Sequence, residues 1–458
     1  MAKKKILLLS DDLRMSSGVG TMSKEFVLGT IHHYDWVQIG GAITHPENGK
    51  KVSMDKVTSE ETGVKDAKLT IYPTNGYGNQ DLLRNVLNFE KPDAILHYTD
   101  PRFWGWLYAM EHEIRQHIPI FYYNIWDDWP APQYNEFFYE SSDLIMNISK
   151  QTVAIVKEVA KKKPRTDWDC TYLPHGVSEK WYKPISVFDD EHKKVQAFRK
   201  QLIGDDVKFV VFYNNRNIRR KNPGDVILAW NRFVNQLPKK ERDKCVLVMH
   251  TQPIDDNGTD LPAVARMNTK DCHIVFDSVN YPEDKMNMLY NMADVTINIA
   301  SNEGFGLGTA ESLMAGVPII VNVTGGLQDQ CGFKNEDGSI LSENDFTEEW
   351  GSNHDGRIQE HGSWVKPVWP ASRNLQGSPP TPYIFDDRCR WEDAGDAIME
   401  WYKTPKEERD KVGLEGREFC LLEETGISAI NMGKRFIKDM NTAFDNWKPI
   451  DRYKVYEV

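Results

Sequence analysis

Short runs of apolar and largely β-branched residues alternate with polar or helical segments along nearly the whole chain. In the first half these runs stand at 5–9, 37–43, 69–72, 94–97, 118–123 and 144–148. In the second half they stand at 209–213, 245–250, 272–276, 295–299 and 317–323. Runs of this length, bounded by glycine and polar turn residues, indicate buried strands. Their alternation with helical segments predicts an α/β fold, with parallel sheets covered on both faces.

The rhythm is interrupted after residue 173, where a turn-forming segment leads into a charged helical pattern. We therefore predict a first Rossmann-like domain over 1–184 and a second over 185–426. Inside the second domain, a segment at about 350–391 has little periodicity but many prolines and aromatics, and we expect an ordered insertion there. A length of 458 residues agrees with two such domains at ~100–200 residues each.

One β-loop-α-β unit, residues 298–327, contains the densest chemistry. Its loop carries Gly304 and Gly306, which allow the backbone to turn sharply and to approach a ligand. The helix that follows presents N-terminal N–H groups, which suit anionic or hydroxyl-bearing ligands. Glu303 and Glu311 flank the loop, and carboxylates are good acceptors for paired hydroxyls. The unit therefore predicts a site for a sugar or a phosphate.

The order of residues in this unit resembles a known family. The matching positions are Glu303-Gly304-Phe305-Gly306, Glu311, Ala315-Gly316-Val317-Pro318 and Gly325-Gly326. They resemble the E-x7-E signature of retaining glycosyltransferases with the GT-B fold, the class called group 1 or family 4. The resemblance implies two Rossmann-like domains that face each other across a cleft, with a C-terminal helix over 427–458 that crosses back to the first domain. The alternative is that both glutamates are solvated or capping residues.

The same resemblance implies an activity: transfer of a sugar from a nucleotide sugar to a hydroxyl acceptor, with retention of configuration. The nucleotide sugar is a co-substrate, with a UDP- or GDP-sugar expected, and no cofactor is implied. Glu311 is then the ribose ligand, and Glu303 lies over the donor sugar. The loop and helix start would hold the sugar or the diphosphate through Gly304, Phe305, Gly306 and Leu307.

Two cations match the basic loop of the family. Arg216 and Lys221 stand at its spacing, although Asn215 and Asn222 replace its two glycines. A leaving nucleoside diphosphate gains charge as the glycosidic bond breaks, and the cations would stabilise that charge. We therefore expect no metal, because the basic pair and the helix terminus take over its role. A solvated basic turn is the alternative.

Other donor contacts follow from position in the family. Gly18 and Gly20, in the first glycine loop, would face the donor phosphates. Phe276 and Asp277 stand where the family places the loop that stacks on the nucleobase. The first loop alone would also suit a nucleotide-binding dehydrogenase, but the chain lacks the G-x-G-x-x-G pattern at this place.

The acceptor side is predicted from strand ends rich in aromatic and polar residues. The family often has a histidine at the end of the strand that here leads into 124–128, and this chain has none there. Asp127 and Asp100 are our candidates for carboxylates near the anomeric centre. The candidate acceptor contacts are His97, Trp104, Trp126 and Asp128. Aromatic platforms beside carboxylates suit sugar rings, and they would equally suit an unpaired base.

Charge sets the order of the acceptor hypotheses. The formal net charge of −12 argues against a protein-wide affinity for nucleic acid or an anionic membrane. We therefore favour a glycan or another small hydroxyl acceptor, with a hydroxymethylated pyrimidine in DNA as the alternative. A nucleotide-sugar epimerase and a non-catalytic glycan-binding relative remain alternatives within the same fold.

The cysteines and the N-terminus bear on the compartment. The six cysteines form no C-x-x-C pair and no cluster at metal-ligand spacing, which is typical of reduced thiols in a cytosolic protein. The apolar run near the N-terminus is too short for a signal peptide or a membrane span. We therefore predict a cytoplasmic protein without a membrane span, and its oligomeric state stays open.

Overall fold

The computed structural model describes residues 3–268, 273–347, 358 and 360–451. Its strands are β1 (Lys4–Asp11), β2 (Tyr34–Ile43), β3 (Val52–Ser53), β4 (Leu69–Asn75), β5 (Ala94–Tyr98), β6 (Ile120–Asn124), β7 (Leu144–Asn147), β8 (Cys170–Tyr172), β9 (Phe209–Asn214), β10 (Cys245–His250), β11 (Ile274–Asp277), β12 (Val295–Asn298), β13 (Ile319–Asn322), β14 (Val365–Val368), β15 (Pro370–Ser378) and β16 (Thr381–Cys389).

The described helices complete the α/β alternation. They are α1 (Gly18–Thr30), α2 (Asp55–Thr62), α3 (Gln80–Glu90), α4 (Gly105–Tyr108), α5 (Glu111–Ile114), α6 (Glu136–Glu140), α7 (Lys150–Val159), α8 (Asp190–Ile203), α9 (Pro223–Asn235), α10 (Lys239–Arg242), α11 (Leu261–Asn268), α12 (Glu283–Met292), α13 (Leu307–Met314), α14 (Trp391–Lys403), α15 (Lys406–Leu421) and α16 (Ala429–Asn446). No helix within the described ranges combines the length and the apolar character that crossing a bilayer requires.

Two separate sheets confirm the predicted parallel α/β architecture. The first has the strand order β3-β4-β2-β1-β5-β6-β7-β8, and only the β3–β4 pair is antiparallel among its described strands. The second has the order β11-β10-β9-β12-β13-β14, with parallel pairing throughout. Among the parallel strands of each sheet the order reverses direction once, beside β1 in the first and between β9 and β12 in the second. Ligands of open α/β sheets bind at such reversal points, beyond the carboxyl ends of the strands.

The central strands are apolar because both of their faces are buried. In β1, Ile6 and Leu8 point into one core, while Leu7 and Leu9 point into another, and all four side chains are fully buried. This explains why the run at 5–9 shows no alternation of apolar and polar residues.

The C-terminal helix crosses back to the first domain, as the resemblance implied. On α16, Phe436 stacks on Phe26 of α1, with ring centroids 5.4 Å apart and an interplanar angle of 14°. Phe444 meets Phe121 of β6 edge to face, at 5.2 Å. Helix α16 therefore packs beside α1, on the face of the first sheet that Phe26 also contacts through Tyr98 and Tyr123.

The segment at about 350–391 divides into parts with different roles. Residues 350–357 and 359 lie outside the described residues. Strand β14 is the last strand of the second sheet, so this part belongs to the domain core. Strands β15 and β16 form a separate antiparallel hairpin. The low periodicity of this hairpin has a simple cause, because most residues of β15 are exposed and no apolar face has to alternate with a polar one.

Phe436→Ala should destabilise the first domain although the residue lies in the last helix. Truncating a buried phenylalanine costs about 3–5 kcal/mol of unfolding free energy, and Phe436 is fully buried. Urea unfolding followed by tryptophan fluorescence measures the loss. The matched control is Ile430→Ala, because that side chain lies on the same helix and is 61% exposed. Equal unfolding midpoints for the two variants would contradict the bracing role of α16.

Candidate active site

A cleft of about 1100 Å³ opens between the two sheets, at the reversal points of their strand orders. The first domain contributes Asp11 at the end of β1 and the loop that leads into α1. The second contributes Asn214 at the end of β9 and the loop between β12 and α13. The carboxyl ends of both sheets therefore face a shared space, which suits a ligand held between two domains.

Ten of the predicted site residues line this cleft. They are Gly18, Asp127, Arg216, Lys221, Glu303, Gly304, Phe305, Gly306, Leu307 and Glu311. Eight others do not line it. They are Gly20, His97, Asp100, Trp104, Trp126, Asp128, Phe276 and Asp277.

The glycine-rich loop aims the start of α13 into the cleft. Gly306 precedes the helix with a φ of 90°, a conformation that L side chains rarely adopt. A Cβ atom at this position would lie 2.5 Å from Leu327, so a side chain would also collide with its neighbour. The Thr309 N–H donates to the Gly306 carbonyl at 3.2 Å, and the N–H groups of Leu307 and Gly308 before it have no acceptor within the helix, so they are available to an anionic or hydroxyl-bearing ligand.

Four charged side chains from both domains meet at the base of the cleft, and we call them the charge cluster: Asp127, Arg220, Lys221 and Glu303. The Lys221 ammonium donates to the Glu303 carboxylate. Arg220 Nη1 lies 3.9 Å from Glu303 Oε1 and 3.7 Å from Asp127 Oδ2. Positive and negative groups alternate, so each charge has an opposite neighbour.

Burial and the neighbouring charges compete in setting the ionisation of the cluster. Burial alone would raise the pKa of Glu303, but the charges of Lys221 and Arg220 outweigh it and lower that pKa below its ordinary value. Burial raises the pKa of Asp127, and the Arg220 charge only partly opposes this. Lys221 has a lowered pKa because of burial and the adjacent Arg220 charge. Glu303 is therefore held as the anion of the cluster.

The structure adds Arg220, which was not predicted, to the basic pair, and it places Arg216 at the rim of the cleft rather than in the charge cluster. The Arg216 side chain is 64% exposed at the rim of the cleft, where it pairs with Asp255 at 3.4 Å. A 3₁₀ turn at Arg219–Lys221 brings Arg220 inward, next to Lys221. The sequence contained one sign of this arrangement, the run of three basic residues at 219–221. The spacing of the family's basic loop does not distinguish Arg220 from its neighbours.

Glu311 lines the cleft from the first turns of α13. The Tyr290 hydroxyl donates to Glu311 Oε2 at 2.6 Å, and Asn214 Nδ2 donates to the same hydroxyl at 2.8 Å. Burial raises the pKa of Glu311 to about 7, although the hydroxyls of Tyr290 and Tyr182 act in the opposite direction. The carboxyl group is thus oriented by neighbouring side chains before any ligand is bound.

The predicted nucleobase residues lie behind the cleft wall. Asp277, at the end of β11, accepts a hydrogen bond from the Tyr281 hydroxyl at 3.4 Å and contacts His250 Nδ1 at 3.0 Å. Tyr281 itself lines the cleft, together with Asn280 and Pro282. The wall is therefore formed a few residues further along the loop than the sequence indicated, and Asp277 supports it from behind.

The two predicted glycines of the first glycine loop lie in different surroundings. Gly18 lines the cleft at the start of α1. Gly20 is buried within that helix, and a Cβ atom there would lie 2.5 Å from the Met15 carbonyl oxygen. Asp11 lines the cleft nearby, and burial raises its pKa to about 6.

Several predicted acceptor residues are packed into the first domain. His97 is fully buried, with Nδ1 2.7 Å from the Tyr108 hydroxyl, and burial lowers the pKa of His97 to about 3. Trp104 is fully buried beside it. Asp100 binds Arg102, whose guanidinium lies over the Trp126 ring at 5.8 Å from its centroid. These positions stay predictions as acceptor contacts, but the cleft lining does not include them.

His175, in the segment that follows β8, also lines the cleft. Its Nδ1 lies 2.9 Å from the Tyr123 hydroxyl, and its Nε2 lies 3.3 Å from the Tyr98 hydroxyl. The ring also meets Phe305 of the glycine-rich loop, at 5.3 Å between centroids. Burial lowers the pKa of His175 to about 3, so the ring is neutral and joins the two domains through packing and hydrogen bonds.

Two further features of the described residues are their possible metal ligands and their cysteine thiols. Within the described ranges, no three His, Cys, Asp or Glu side chains are grouped so that they could hold a metal ion. The five cysteines in the described part of the chain are free thiols, and Cys272 lies outside it.

Two sequence comparisons find similar proteins. Residues 194–348 match the family model described as Glycosyl transferases group 1. The alpha-monoglucosyldiacylglycerol synthase of Acholeplasma laidlawii is 24% identical over 174 residues, which make up 37% of this chain and 40% of that protein. The chain thus matches well under half the length of this curated relative.

Solved structures resemble nearly the entire chain. HepE of Anabaena, in complex with UDP and glucose, has a TM-score of 0.64 at 12% identity, covering 96% of this chain and 100% of that one. Sucrose-phosphate synthase of Thermosynechococcus elongatus has a TM-score of 0.63 at 14% identity, covering 97% and 100%. At such low identity the likeness bears on the fold alone, and it confirms the predicted GT-B fold.

The ionisation of Glu311 should appear in the pH dependence of stability. Because burial raises its pKa to about 7 from an ordinary value near 4.5, the folded protein keeps a proton that the unfolded chain loses between these values. The stability that this group contributes is complete below pH 4.5 and is lost as the pH rises towards 7. Glu311→Gln should therefore raise the melting temperature, relative to the wild type, more at pH 8 than at pH 5.

Thermal unfolding at the two pH values measures this difference. Glu60→Gln controls for the removal of a surface charge, because the Glu60 side chain is 68% exposed. An identical difference between Glu311→Gln and the wild type at both pH values would contradict the prediction.

Proposed function

We propose that this protein is a glycosyltransferase that moves a sugar from a nucleotide-sugar donor to a hydroxyl acceptor with retention of configuration. The observation that carries the proposal is the charge cluster at the base of the cleft, directly beside the glycine-rich helix start. The cluster brings cations and carboxylates, and the helix start brings N–H groups, to the place where the GT-B fold offers a site between domains. The group 1 match over 194–348 supports the same reading.

The donor is assigned to the second domain. Glu311, oriented by Tyr290, is proposed to accept hydrogen bonds from the ribose hydroxyls. Tyr281 at the cleft wall is proposed to take the nucleobase. A uridine nucleotide sugar is our first choice, because HepE was solved with UDP and glucose and has the same fold over nearly the full chain.

The chemical step is assigned to the charge cluster and the helix start. A leaving nucleoside diphosphate gains charge as the glycosidic bond breaks, and Arg220, Lys221 and the N–H groups of α13 are placed to stabilise it. Glu303, held as an anion, is proposed to bind hydroxyls of the donor sugar and to keep Lys221 in place. Cations and a helix terminus already supply the electrophilic groups, so we propose a reaction without a metal ion.

Retention and the family 4 assignment are proposed from the E-x7-E pattern of Glu303 and Glu311. Asp127 is the carboxylate of the first domain in the charge cluster, and we propose it for the acceptor side of the anomeric centre. The acceptor is proposed to be a glycan or another small hydroxyl compound, because the net charge of −12 disfavours a polyanionic partner.

A panel of nucleotide sugars tests the proposal. UDP-glucose should raise the melting temperature, because a donor at ~100 times its dissociation constant stabilises by about 2.7 kcal/mol. Transfer should then be measured to oligosaccharides, to diacylglycerol vesicles suggested by the name of the A. laidlawii relative, and to DNA with hydroxymethylated pyrimidines.

We expect transfer of the sugar with retained configuration, unchanged by EDTA and insensitive to added salt. Transfer to DNA that falls steeply with salt would favour the nucleic-acid alternative, since counterion release makes such binding salt-dependent. Conversion of the donor sugar to its epimer would instead indicate an epimerase. Binding of glycans without turnover of any nucleotide sugar would refute an enzymatic role.

Removing either cation of the charge cluster should slow turnover far more than it weakens donor binding. Loss of a preorganised electrostatic contact typically costs ~10²–10³ in rate, and we expect this loss in kcat for Arg220→Ala and Lys221→Ala. Arg216→Ala should mainly raise the KM for the donor, since its exposed charge at the rim is screened by solvent. Steady-state kinetics with UDP-glucose separate the two effects.

The control for this series is Lys240→Ala, which removes an exposed cation outside the cleft lining. Arg220→Lys tests whether a positive charge alone suffices, and the melting temperature of each variant shows whether it is folded. A folded Lys221→Ala variant with near-normal kcat would exclude the cluster from the chemical step.

A further inference from the structure

The hairpin of β15 and β16 contacts the first domain, although it belongs to the second. Phe385 N donates to the Trp129 carbonyl at 2.8 Å. The Tyr134 hydroxyl donates to the Tyr383 carbonyl at 2.7 Å, and the Tyr383 hydroxyl donates to the Ala131 carbonyl at 3.2 Å. Gln133 N also donates to the Tyr383 hydroxyl, at 3.1 Å, so four hydrogen bonds join β16 to the segment that follows β6.

Further along the same strand, the backbone follows the loop that leads to Glu303. Asp387 N donates to the Ser301 carbonyl at 2.8 Å. Asn322 Nδ2, at the end of β13, donates to the Asp387 carbonyl at 2.7 Å. Strand β16 therefore lies between the two domains, directly behind the base of the cleft, and no described residue of the hairpin lines the cleft itself.

Asp386 is the link between this strand and the charge cluster. Its carboxylate accepts hydrogen bonds from Asn302 Nδ2, at 2.9 Å, and from the Arg219 guanidinium. The residue is only 2% exposed. Asn302 directly precedes Glu303, and Arg219 directly precedes Arg220. One buried carboxylate thus fixes the backbone neighbours of two cluster residues.

A further bond closes this arrangement. Arg220 Nη1 donates to the Asn302 carbonyl at 2.8 Å, so the basic turn and the loop before Glu303 are joined directly as well as through Asp386. Without Asp386, the buried Asn302 amide would keep only the Phe385 carbonyl, at 3.3 Å, as its acceptor, and Arg219, whose side chain is 63% exposed, would no longer be tied to the hairpin. The loop before Glu303 and the basic turn would then lose the carboxylate that they share.

We propose that Asp386 is a positioning residue, which holds the basic turn and the glycine-rich loop so that Arg220 and Glu303 meet in the charge cluster. The proposal rests on the function proposed above for that cluster. Asp386 acts from behind the cleft wall and touches neither the donor nor the acceptor. Displacements of about 1 Å at reacting groups cost on the order of 10²-fold in rate, so the effect should fall on turnover.

The variants follow from the contacts. Asp386→Ala should lower kcat with UDP-glucose by about 10- to 100-fold, while the affinity for UDP, measured by calorimetry, stays within about threefold because the donor contacts are retained. Arg219→Ala should cause a similar loss, and the double variant should be hardly worse than either single variant, as expected for partners in one interaction. Asp386→Asn keeps the size of the side chain and one acceptor oxygen, so its kcat should lie between those of Asp386→Ala and the wild type. It replaces the alanine variant in these measurements if that variant does not fold.

The matched control is Arg388→Ala. Arg388 stands on the same strand and pairs with Asp225 of α9 at 2.8 Å, but that pair is partly exposed and lies outside the cleft lining. It should leave kcat within about twofold of the wild type. If the hairpin only stabilised the fold, Asp386→Ala and Arg388→Ala would change kcat to the same extent. Alternatively, Asp386→Ala would lower the affinity for UDP and kcat together.

Hydrogen–deuterium exchange provides a readout that does not depend on the reaction. Peptides covering 215–223 and 299–306 should exchange faster in Asp386→Ala than in the wild type, and Arg388→Ala should leave both unchanged. If the wild type turns over no nucleotide sugar, the proposed function fails, and the exchange result still decides the positioning role. Unchanged exchange in both peptides, or a folded Asp386→Ala variant with normal kcat, would overturn the inference.

Discussion

The constraint on which the rest of the structure depends is the pairing of charges at the base of the cleft, where the two domains meet. Lys221 and Glu303 form its buried pair, and removing one partner from such a pair leaves an uncompensated buried charge, which typically costs about 3–5 kcal/mol. Arg220 lies between Glu303 and Asp127 of the other domain, and both Arg220 and Asp127 are partly exposed. Asp127 and the neutral ring of His175, packed against Phe305, join the first domain to this group. A site built in this way is ordered before a substrate arrives, which is the condition for electrostatic stabilisation of a transition state.

How much could be predicted from the sequence depends on how local each signal was. Glu303, the glycines and Glu311 stand within one β-loop-α-β unit, so their order along the chain already places them around one helix start. Arg220 depends on the rotation of a 3₁₀ turn, and the spacing of a motif does not report that rotation. Asp127 and Asp128 show the same limit: the first lines the cleft, while the second is buried and accepts from Gln151 and Trp129 N. Neighbours in sequence point to different sides of a loop, and no apolar periodicity indicates which side.

The places of His97 and of the β15–β16 hairpin could not be predicted from the sequence, for opposite reasons. A polar residue near the end of a strand is typical of a ligand site, but the ring of His97 stacks on Tyr122 inside the domain core, where its Nδ1 lies 2.7 Å from the Tyr108 hydroxyl. Strands β15 and β16 carry few apolar residues, because they are stabilised by hydrogen bonds to each other and to two domains. Such partners are distant in sequence, so local patterns contain little information about them.

The crossing of α16 has a consequence for how the chain folds during synthesis. The first domain is not continuous in sequence, since the Tyr34 hydroxyl is bonded to Asn441, 407 positions away. At the usual ~5–20 residues per second, a ribosome needs about 20–80 s to add that stretch. During this time Phe26 and Trp36 have no Phe436 to cover them, and the second domain is completed while the first is still open. The first domain therefore exposes apolar surface until the last helix has been synthesised. Partly folded chains of this kind bind chaperones and tend to aggregate.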